Sequence, residues 1–515
     1  MNGAQSLVRT LVANGVNVCF TNPGTSEMHF VAALDKVEGM RCVLGLFEGV
    51  VTGAADGYYR MTGRPACTLL HLGPGLGNGL ANLHNAKKAR SGIVNIVGEH
   101  ATYHLKHDAP LTADIAGIAR PVSHWVHTAG SARSLAAECA AAIQQARQPP
   151  GQIATLIAPA DTAWGEAEAP ARAEPPPARS KVAASAVTDA ARALTSGEPA
   201  MLLLGGATLR GGALEDAGRI AAKTGCRLLS EYNNARAEGG AGRVRVDRLP
   251  YPVDQALAVL KDVRQLVLVG AKVPVSFFAY PGKPSVLSPE GCNVTRLAGV
   301  EEDLAGALSA LAEELGAAHA TPAHVNDLRR PALPTGAITA DGIAAALAAL
   351  LPEDAVVIDE SVTTGRNFGA VMAGAPPHDW LNINGGSIGW ALPAATGAAI
   401  GAPERKVVAL EGDGSGMYTV QALWTMAREQ LDVAVVVLAN RSYQILHTEL
   451  RNMGAGTPGQ RAADMLTLDR PHLDWVSLAR GLGVEGARAA TLDEFTAQLK
   501  RAFAQRGPYL VELVF

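Results

Sequence analysis

Short apolar runs without polar alternation recur along this chain, and segments with helical periodicity separate them. In the first third of the chain the runs are NVCF, RCVLGL, ACTLLHL and GIVNIVGEH, and QIATLIAPAD follows near residue 155. A strand with no polar face is buried on both sides, and helices between such strands serve as crossover connections. The sequence therefore predicts parallel β-sheets covered by helices on both faces.

The same pattern occurs three times along the chain, with proline-bearing stretches between the repeats. EAEAPARAEPPPARSK and ATPAHVNDLRRPALPTG indicate extended linkers. A chain of 515 residues is also too long for one ordinary hydrophobic core. We predict three doubly wound, parallel-sheet α/β domains, over residues 1–165, 180–325 and 335–515.

Composition is typical of a well-buried globular protein and excludes several function classes. Hydrophobic residues make up 48% of the chain, charged residues 18%, and the net charge is −4. No cluster of Lys and Arg indicates a nucleic-acid-binding face, and no run approaches the ~18 apolar residues of a membrane span. The six cysteines lack metal-ligand spacing, and no secretory signal is present at the start. We expect a cytoplasmic protein with neither a nucleic-acid nor a membrane partner.

The stretch from residue 410 to 446 places a carboxylate and a carboxamide after two buried strands. Asp413 lies in a Gly-Asp-Gly-Ser turn that follows one apolar run, and Asn440 follows the next apolar run. Ligands of open parallel sheets bind outside the carboxyl ends of the strands, so these two side chains can converge. Oxygen donors beside a helix start suit a Mg²⁺ ion that bridges a diphosphate. Taken alone, the turn is also compatible with an ordinary strand–helix connection. One apolar helix face is predicted between the two strands, formed by Val420, Leu423, Trp424 and Ala427.

The order strand, Gly-Asp-Gly-Ser, helix, strand and Asn resembles the diphosphate-binding motif of the thiamine diphosphate (ThDP) enzymes. This resemblance implies ThDP and Mg²⁺ as cofactors, with the metal held by Asp413, Asn440 and the carbonyl of Ser442. The chain departs from the motif at Ala439, which stands where the family has the first Asn of a pair. The metal-side Asn is retained.

The first domain resembles the other half of the family's cofactor site. RCVLGLFEGVVTGAADGYYRMTGRPA places Glu48 at the end of a buried strand. In the family a carboxylate at this position hydrogen-bonds the aminopyrimidine ring and assists proton removal from the thiazolium. An exposed Glu that caps a helix is the alternative. In relatives the two half-sites come from different subunits, so the resemblance implies a homodimer or homotetramer with active sites at the subunit interface.

Further cofactor contacts follow from the same resemblance. NGGSIGWALPAATG places Ile388 where the family has a bulky residue that bends the cofactor, although Ile388 alone would also suit a core position. The other residues assigned to the cofactor are Thr363, Gly386, Ser387, Gly412, Gly414, Ser415, Tyr443, Gln444 and Ile445.

Among the ThDP enzymes the chain resembles benzoylformate decarboxylase and the acetolactate synthase group. Thr25 takes the place of a hydroxyl residue that contacts the substrate carboxylate, and His71 that of an active-site acid or base. A second histidine of the decarboxylase has no counterpart near Tyr280. The resemblance implies decarboxylation of a 2-oxo acid, then transfer of the acyl carbanion to a carbonyl acceptor, as in acetolactate synthase, or its protonation to an aldehyde.

Three other functions remain open from the sequence. They are a benzoylformate-type decarboxylase proper, an FAD- or quinone-linked oxidase, and a non-catalytic or regulatory ThDP-binding paralogue. LLLGGATLRGG in the central domain lacks GxGxxG spacing, which argues against FAD, and retention of Glu48 argues against a mere binder. His100, His104 and His107 follow a strand end and form either a proton relay or a solvated surface loop.

Overall fold

The first sheet is formed by the N-terminal part of the chain. The computed structural model describes residues 1–515. The strands are β1 (Val18–Asn22), β2 (Arg41–Leu44), β3 (Ala66–Leu70), β4 (Ile93–Glu99), β5 (Trp125–Thr128) and β6 (Ile153–Pro159). The helices are α1 (Gly3–Ala13), α2 (Met28–Lys36), α3 (Glu48–Thr62), α4 (Leu72–Ala89), α5 (Ile115–Ala119), α6 (Leu135–Ala146) and α7 (Ala160–Trp164). All six strands are parallel, in the order β2-β1-β3-β4-β6-β5.

A second, five-stranded sheet occupies the centre of the chain. Its strands are β7 (Ala200–Leu204), β8 (Arg227–Ser230), β10 (Asp247–Arg248), β11 (Gln265–Val269) and β12 (Asn293–Ala298). The strand β9 (Ala237–Gly239) lies in the same part of the chain but belongs to the third sheet. The helices are α8 (Ala184–Leu194), α9 (Gly211–Thr224), α10 (Val253–Leu260) and α11 (Leu304–Glu314). The order is β10-β8-β7-β11-β12, and every pair is parallel.

The third sheet carries the Gly-Asp-Gly-Ser turn. Its C-terminal strands are β13 (Ala355–Glu360), β14 (His378–Asn382), β15 (Val407–Gly412), β16 (Val433–Ala439), β17 (Glu485–Ala489) and β18 (Tyr509–Val514). The helices are α12 (Ala340–Leu350), α13 (Phe368–Val371), α14 (Ala391–Gly401), α15 (Asp413–Gly416), α16 (Ala422–Arg428), α17 (Gln444–Asn452), α18 (Gln460–Asp464), α19 (Trp475–Gly481) and α20 (Leu492–Ala504). Single 3₁₀ turns cover Thr25–Glu27, Leu105–His107, Gly206–Leu209, Thr364–Asn367 and Met372–Gly374.

The predicted architecture of parallel α/β sheets is confirmed, with one addition at an edge. The third sheet has the order β17-β18-β16-β15-β13-β14-β9, and β9 comes from the central part of the chain. Its pairing with β14 is antiparallel. An antiparallel strand at the edge of an otherwise parallel sheet is common. We call each sheet with its helices a unit, so β9 connects the central unit to the third unit.

Two local predictions differ from the structure. The strand β5 was not expected, because its residues Trp125–Thr128 are half-buried or exposed and lack a continuous apolar run. The helix expected after Ser415 is interrupted, since α15 ends at Gly416 and α16 begins only at Ala422. Gly414 and Gly416 disfavour a continuous helix. None of the helices combines the length and the apolarity needed to cross a bilayer.

Small residues bring the first and third units into close contact. The helices α3 and α14 touch through their backbones: a Cβ on Gly57 would lie 2.0 Å from the carbonyl oxygen of Ala394, and one on Gly397 would lie 1.8 Å from that of Ala54. Only glycine permits so close an approach. One buried apolar cluster consequently spans both units and fixes their half-sites relative to each other.

Candidate active site

Glu48 and His71 lie against the same glycine just beyond the carboxyl ends of their strands. Glu48 is the first residue of α3, four residues after the end of β2, so the prediction of a strand-end position is corrected to a helix start. Glu48 is 9% exposed, and its carboxylate Oε2 accepts a hydrogen bond from Asn78 Nδ2 at 3.0 Å. A Cβ on Gly75 would lie 3.3 Å from Glu48 Oε1 and 3.4 Å from His71 Cβ. Gly75 thus lies between the Glu48 carboxylate and the Cβ of His71, so both residues belong to the same part of the first sheet's edge.

A residue that the sequence did not single out, Glu27, holds His71 in place. Its carboxylate is fully buried, and Oε2 lies 2.7 Å from His71 Nδ1. The same carboxylate accepts hydrogen bonds from Gly24 N and Ser26 Oγ, each at 2.7 Å. This geometry favours the tautomer with the proton on Nδ1 and leaves Nε2 available as an acid or base. A Cβ on Gly98 would lie 1.6 Å from Glu27 Oε1, so glycine is required on the neighbouring strand β4.

The hydroxyl residues of the same turn have different surroundings. Thr25 is exposed and its hydroxyl makes no hydrogen bond, whereas Ser26 Oγ lies 3.3 Å from His71 Nδ1. Ser26 rather than Thr25 therefore contacts the histidine, and Thr25 is open to a ligand.

The Asp413 carboxylate lies directly against the turn that contains Asn440. Asp413 Oδ2 accepts a hydrogen bond from Arg441 N at 2.7 Å, and Oδ1 accepts one from Gly414 N at 3.0 Å. Asn440 Oδ1 accepts a hydrogen bond from Ser442 N at 3.0 Å. Arg441 adopts a left-handed φ of 58°, which turns the chain sharply. Because β15 and β16 are adjacent and parallel, their ends bring the predicted oxygen donors together.

These donors fit a hard divalent cation. Burial raises the pKa of Asp413 to about 6, and its hydrogen bonds come from backbone amides rather than from a basic side chain. A carboxylate, a carboxamide and a carbonyl are oxygen ligands of the kind that Mg²⁺ prefers. No group of three or more His, Cys, Asp or Glu residues could hold a metal by itself. Asp413, Asn440 and the carbonyl of Ser442 are the oxygen donors that would hold such an ion.

The loop before α14 is held from the first unit. Asn85 Nδ2 donates to the Ser387 carbonyl at 2.7 Å, and His84 Nε2 lies 3.2 Å from the Gly385 carbonyl. Gly386 has a φ of 73°, which favours glycine, and Ile388 is half-buried. The loop thus presents a backbone segment and one bulky side chain in a fixed position.

Comparison with known proteins agrees with this arrangement. The family models "Thiamine pyrophosphate enzyme, N-terminal TPP binding domain" and "Thiamine pyrophosphate enzyme, C-terminal TPP binding domain" match residues 1–118 and 364–513. A relative from Mycobacterium tuberculosis named "Putative acetolactate synthase large subunit IlvX" is 53% identical over 515 residues, covering 100% of this chain and 99% of the relative. The chain belongs to the thiamine pyrophosphate (thiamine diphosphate) enzyme family.

Two further relatives of this ThDP enzyme are decarboxylases. "Benzoylformate decarboxylase" of Pseudomonas aeruginosa is 30% identical over 530 residues, covering 97% of this chain and 96% of the relative. The solved structure of the Rhodococcus jostii thiamine diphosphate-dependent 4-hydroxybenzoylformate decarboxylase matches with a TM-score of 0.86 at 25% identity, covering 99% of this chain and 98% of that one. The three-sheet architecture is thus that of the ThDP enzymes.

Two buried glutamates underlie the candidate cofactor site of this ThDP enzyme. The Glu360 carboxylate accepts hydrogen bonds from the backbone N–H groups of Gly389 at 2.7 Å, Trp390 at 2.7 Å and Ala391 at 2.6 Å. Burial raises the pKa of Glu360 to about 7. Glu411 lies beside it on β15, and burial together with the Glu360 charge raises its pKa as well. Sequence reasoning missed both, although each lies at or next to the end of an apolar strand.

The remaining predicted cofactor residues line the same edge of the third sheet. Thr363 is half-buried and precedes the Thr364–Asn367 turn. Gly412 ends β15, and Ser415 Oγ donates to Glu411 Oε1. The Tyr443 ring packs against Gly414, where a Cβ would lie 2.5 Å from Cε1. In the first turn of α17, Gln444 is exposed and Ile445 is half-buried.

The histidines at the end of β4 form a row without a link to His71. The ring centroids of His100 and His104 are 5.5 Å apart, and those of His104 and His107 are 5.6 Å apart. His104 and His107 are exposed, and no hydrogen bond joins the row to Glu27 or His71. A proton relay through these histidines stays a prediction.

Replacing Glu27 by Gln is expected to lower turnover about 10- to 100-fold, because a hydrogen bond to a charged group is worth roughly that factor. The amide would bind the His71 Nδ1–H less strongly and so hold the ring less firmly. Steady-state kinetics measures the loss of turnover. Glu138→Gln is the matched control, since Glu138 pairs with the more exposed His127 at 3.2 Å in the same unit. Equal activity of the two variants would contradict the role of Glu27.

Proposed function

We propose that this ThDP enzyme uses thiamine diphosphate and Mg²⁺ to decarboxylate a 2-oxo acid and to transfer the acyl unit to a carbonyl acceptor. The observation that carries the proposal is that two residues able to exchange protons, Glu48 and the His71 held by Glu27, both lie next to Gly75. Bound ThDP supplies a carbanion that adds to ketones and an electron sink for the loss of CO₂. A site that has one carboxylate for the cofactor, Glu48, and a separate acid–base group, His71, suits that chemistry.

The side chains of this chain divide the work between two half-sites. Glu48 would hold a proton at the aminopyrimidine ring, restrained by its hydrogen bond from Asn78. His71 Nε2 would give or take a proton at the substrate carbonyl oxygen, with Glu27 stabilising its charged form. Thr25 would donate its free hydroxyl to the substrate carboxylate.

In the second half-site, oxygen donors bind the charged end of the cofactor. Asp413, Asn440 and the carbonyl of Ser442 would hold Mg²⁺. The other residues proposed to bind ThDP are Thr363, Gly386, Ser387, Ile388, Gly412, Gly414, Ser415, Tyr443, Gln444 and Ile445. Among these, Ile388 would support the bent form of the cofactor, and the others would surround its rings and diphosphate.

The experiment that tests this function is a substrate panel. The protein with ThDP and Mg²⁺ is mixed with pyruvate, benzoylformate and longer 2-oxo acids, with and without aldehyde acceptors, and CO₂ and products are identified by mass spectrometry. We expect CO₂ and 2-hydroxy ketones, and loss of both when a chelator removes the metal. No CO₂ from any 2-oxo acid would contradict the proposal and favour a non-catalytic ThDP-binding protein.

Decarboxylation that ends in an aldehyde is the second candidate function. The Glu27–His71 pair is a ready proton source, and the relatives named as decarboxylases have the same architecture. Against it, Tyr280 occupies the region where the decarboxylase has a second histidine. An aldehyde formed without any 2-hydroxy ketone, even at high acceptor concentration, would select this candidate.

The proposed active site is completed by a second subunit, as a homodimer or within a homotetramer. The Glu48 carboxylate has Asn78 as its only hydrogen-bond partner and receives none from the third unit. Large apolar side chains near both half-sites are exposed: Leu46 is 44%, Tyr418 is 53% and Leu446 is 43% accessible. These side chains would be covered if a second subunit packed against both half-sites.

Mixing two inactive variants tests the shared site. In a mixed dimer of Glu48→Gln and Asp413→Ala, one site across the interface carries both changes and the other carries neither. Random reassociation should therefore restore about a quarter of the wild-type activity. Each variant, dissociated and reassociated alone, is the control. Absence of recovery, with mixed dimers present, would place each site within one chain.

A further inference from the structure

The helix α17, which carries Gln444 and Ile445, is weakly anchored by packing. None of its nine residues is buried. Its side chains form hydrogen bonds with the rest of the protein only through Glu449. Since apolar burial normally fixes a surface helix, this one depends on a polar contact for its position.

The partners of Glu449 are two tyrosines of the central unit. Tyr280 Oη donates to Glu449 Oε2 at 2.8 Å, and Tyr251 Oη lies 3.4 Å from Glu449 Oε1. Tyr280 is only 9% exposed and packs in the core of the central unit. The tyrosine side of the contact is therefore rigid, whereas the glutamate side lies on the weakly packed helix.

Through Phe277, Tyr251 also connects the Glu449 contact to the loop before α14. The Tyr251 and Phe277 ring centroids are 5.5 Å apart, and a Cβ on Gly386 would lie 2.8 Å from Phe277 Cζ. The central unit thus touches Gly386 on one side and Glu449 on the other. Both segments carry residues proposed to bind the cofactor.

We propose that the hydrogen bonds from Tyr280 and Tyr251 to Glu449 position α17 over the active site and so determine how the carbonyl acceptor binds. Glu449 lies one helical turn after Ile445, so fixing Glu449 also fixes Ile445. Because Ile445 is proposed to lie beside bound ThDP, where the acceptor would react, its position would affect how the acceptor binds. Tyr280 and Glu449 therefore act as positioning residues. The effect on acceptor binding rests on the proposed function, whereas the positioning of α17 does not.

The first test is hydrogen–deuterium exchange of the protein with ThDP and Mg²⁺ bound. Tyr280→Phe keeps the ring packed and removes the donor hydroxyl. Amides of residues 444–452 should exchange about tenfold faster, with other peptides unchanged, because a hydrogen bond to a carboxylate is lost. Glu449→Gln should act in the same direction, and the double variant should exceed the stronger single variant by little. Tyr509→Phe is the matched control, since Tyr509 Oη donates to Gln498 Oε1 at 2.7 Å elsewhere.

The second test is kinetic and separates positioning from chemistry. In Tyr280→Phe the KM for an aldehyde acceptor should rise about tenfold, while the rate of CO₂ release from the 2-oxo acid stays within about twofold. Unchanged exchange of residues 444–452 in both single variants would overturn the anchoring role. Faster exchange with an unchanged acceptor KM would overturn the effect on the acceptor. If no 2-oxo acid released CO₂, the proposed function would fail. The exchange measurement would still show whether the tyrosine–Glu449 hydrogen bonds position α17.

Discussion

Replacing Glu48 by Gln is expected to reduce turnover at least about a hundredfold while leaving ThDP binding nearly unchanged, the range known for removal of a general acid–base group. Gln retains the shape of the side chain and can keep its contact with Asn78, but it cannot exchange a proton with the aminopyrimidine ring. Binding is measured by fluorescence or calorimetric titration with ThDP, and turnover by CO₂ release.

The control for this prediction is Glu38→Gln, which removes an exposed carboxylate from the same unit. Its turnover should equal that of the wild type. Near-normal turnover of Glu48→Gln would remove Glu48 from the mechanism. Loss of ThDP binding in the same variant would instead assign Glu48 a role in binding alone.

Replacing Arg60 by Met should lower the free energy of unfolding by about 3–5 kcal/mol, the usual cost of leaving one member of a buried ion pair alone. The Arg60 guanidinium donates to both Asp56 oxygens, at 2.9 and 2.7 Å, and to the Asn382 carbonyl at 2.6 Å. It also stacks over the Trp390 ring, 4.4 Å from the centroid, and Trp390 Nε1 donates to Asp56 at 2.7 Å. Since Asp56 is fully buried, its charge would have no ionic partner in the variant.

Denaturant unfolding measures the change in the free energy of unfolding. The protein concentration is kept fixed because subunit association would also contribute to stability. The control is Arg192→Met, whose ion pair with Asp189 is 73% and 54% exposed and should contribute little. A small effect of Arg60→Met would show that the network does not hold the first and third units together.

Sequence reasoning was most successful where a residue's neighbours in space follow from strand order. Asp413 and Asn440 end consecutive apolar strands, and the structure joins Asp413 Oδ2 to the N–H of Arg441 at 2.7 Å. It was least successful where a contact joins distant segments. Glu27 and His71 are 44 positions apart, and Tyr280 and Glu449 are 169 apart. Neither pair leaves a periodic signal.

Local patterns were enough to predict the parallel α/β class, the Gly-Asp-Gly-Ser turn and the family resemblance, because burial imposes apolar runs and helical periodicity on neighbouring residues. Three contacts became visible only in the folded chain: Glu27 with His71, β9 with the third sheet, and Tyr280 with Glu449. Each of these depends on how separate segments pack, and one hydrogen bond between distant side chains leaves no periodic pattern in the sequence.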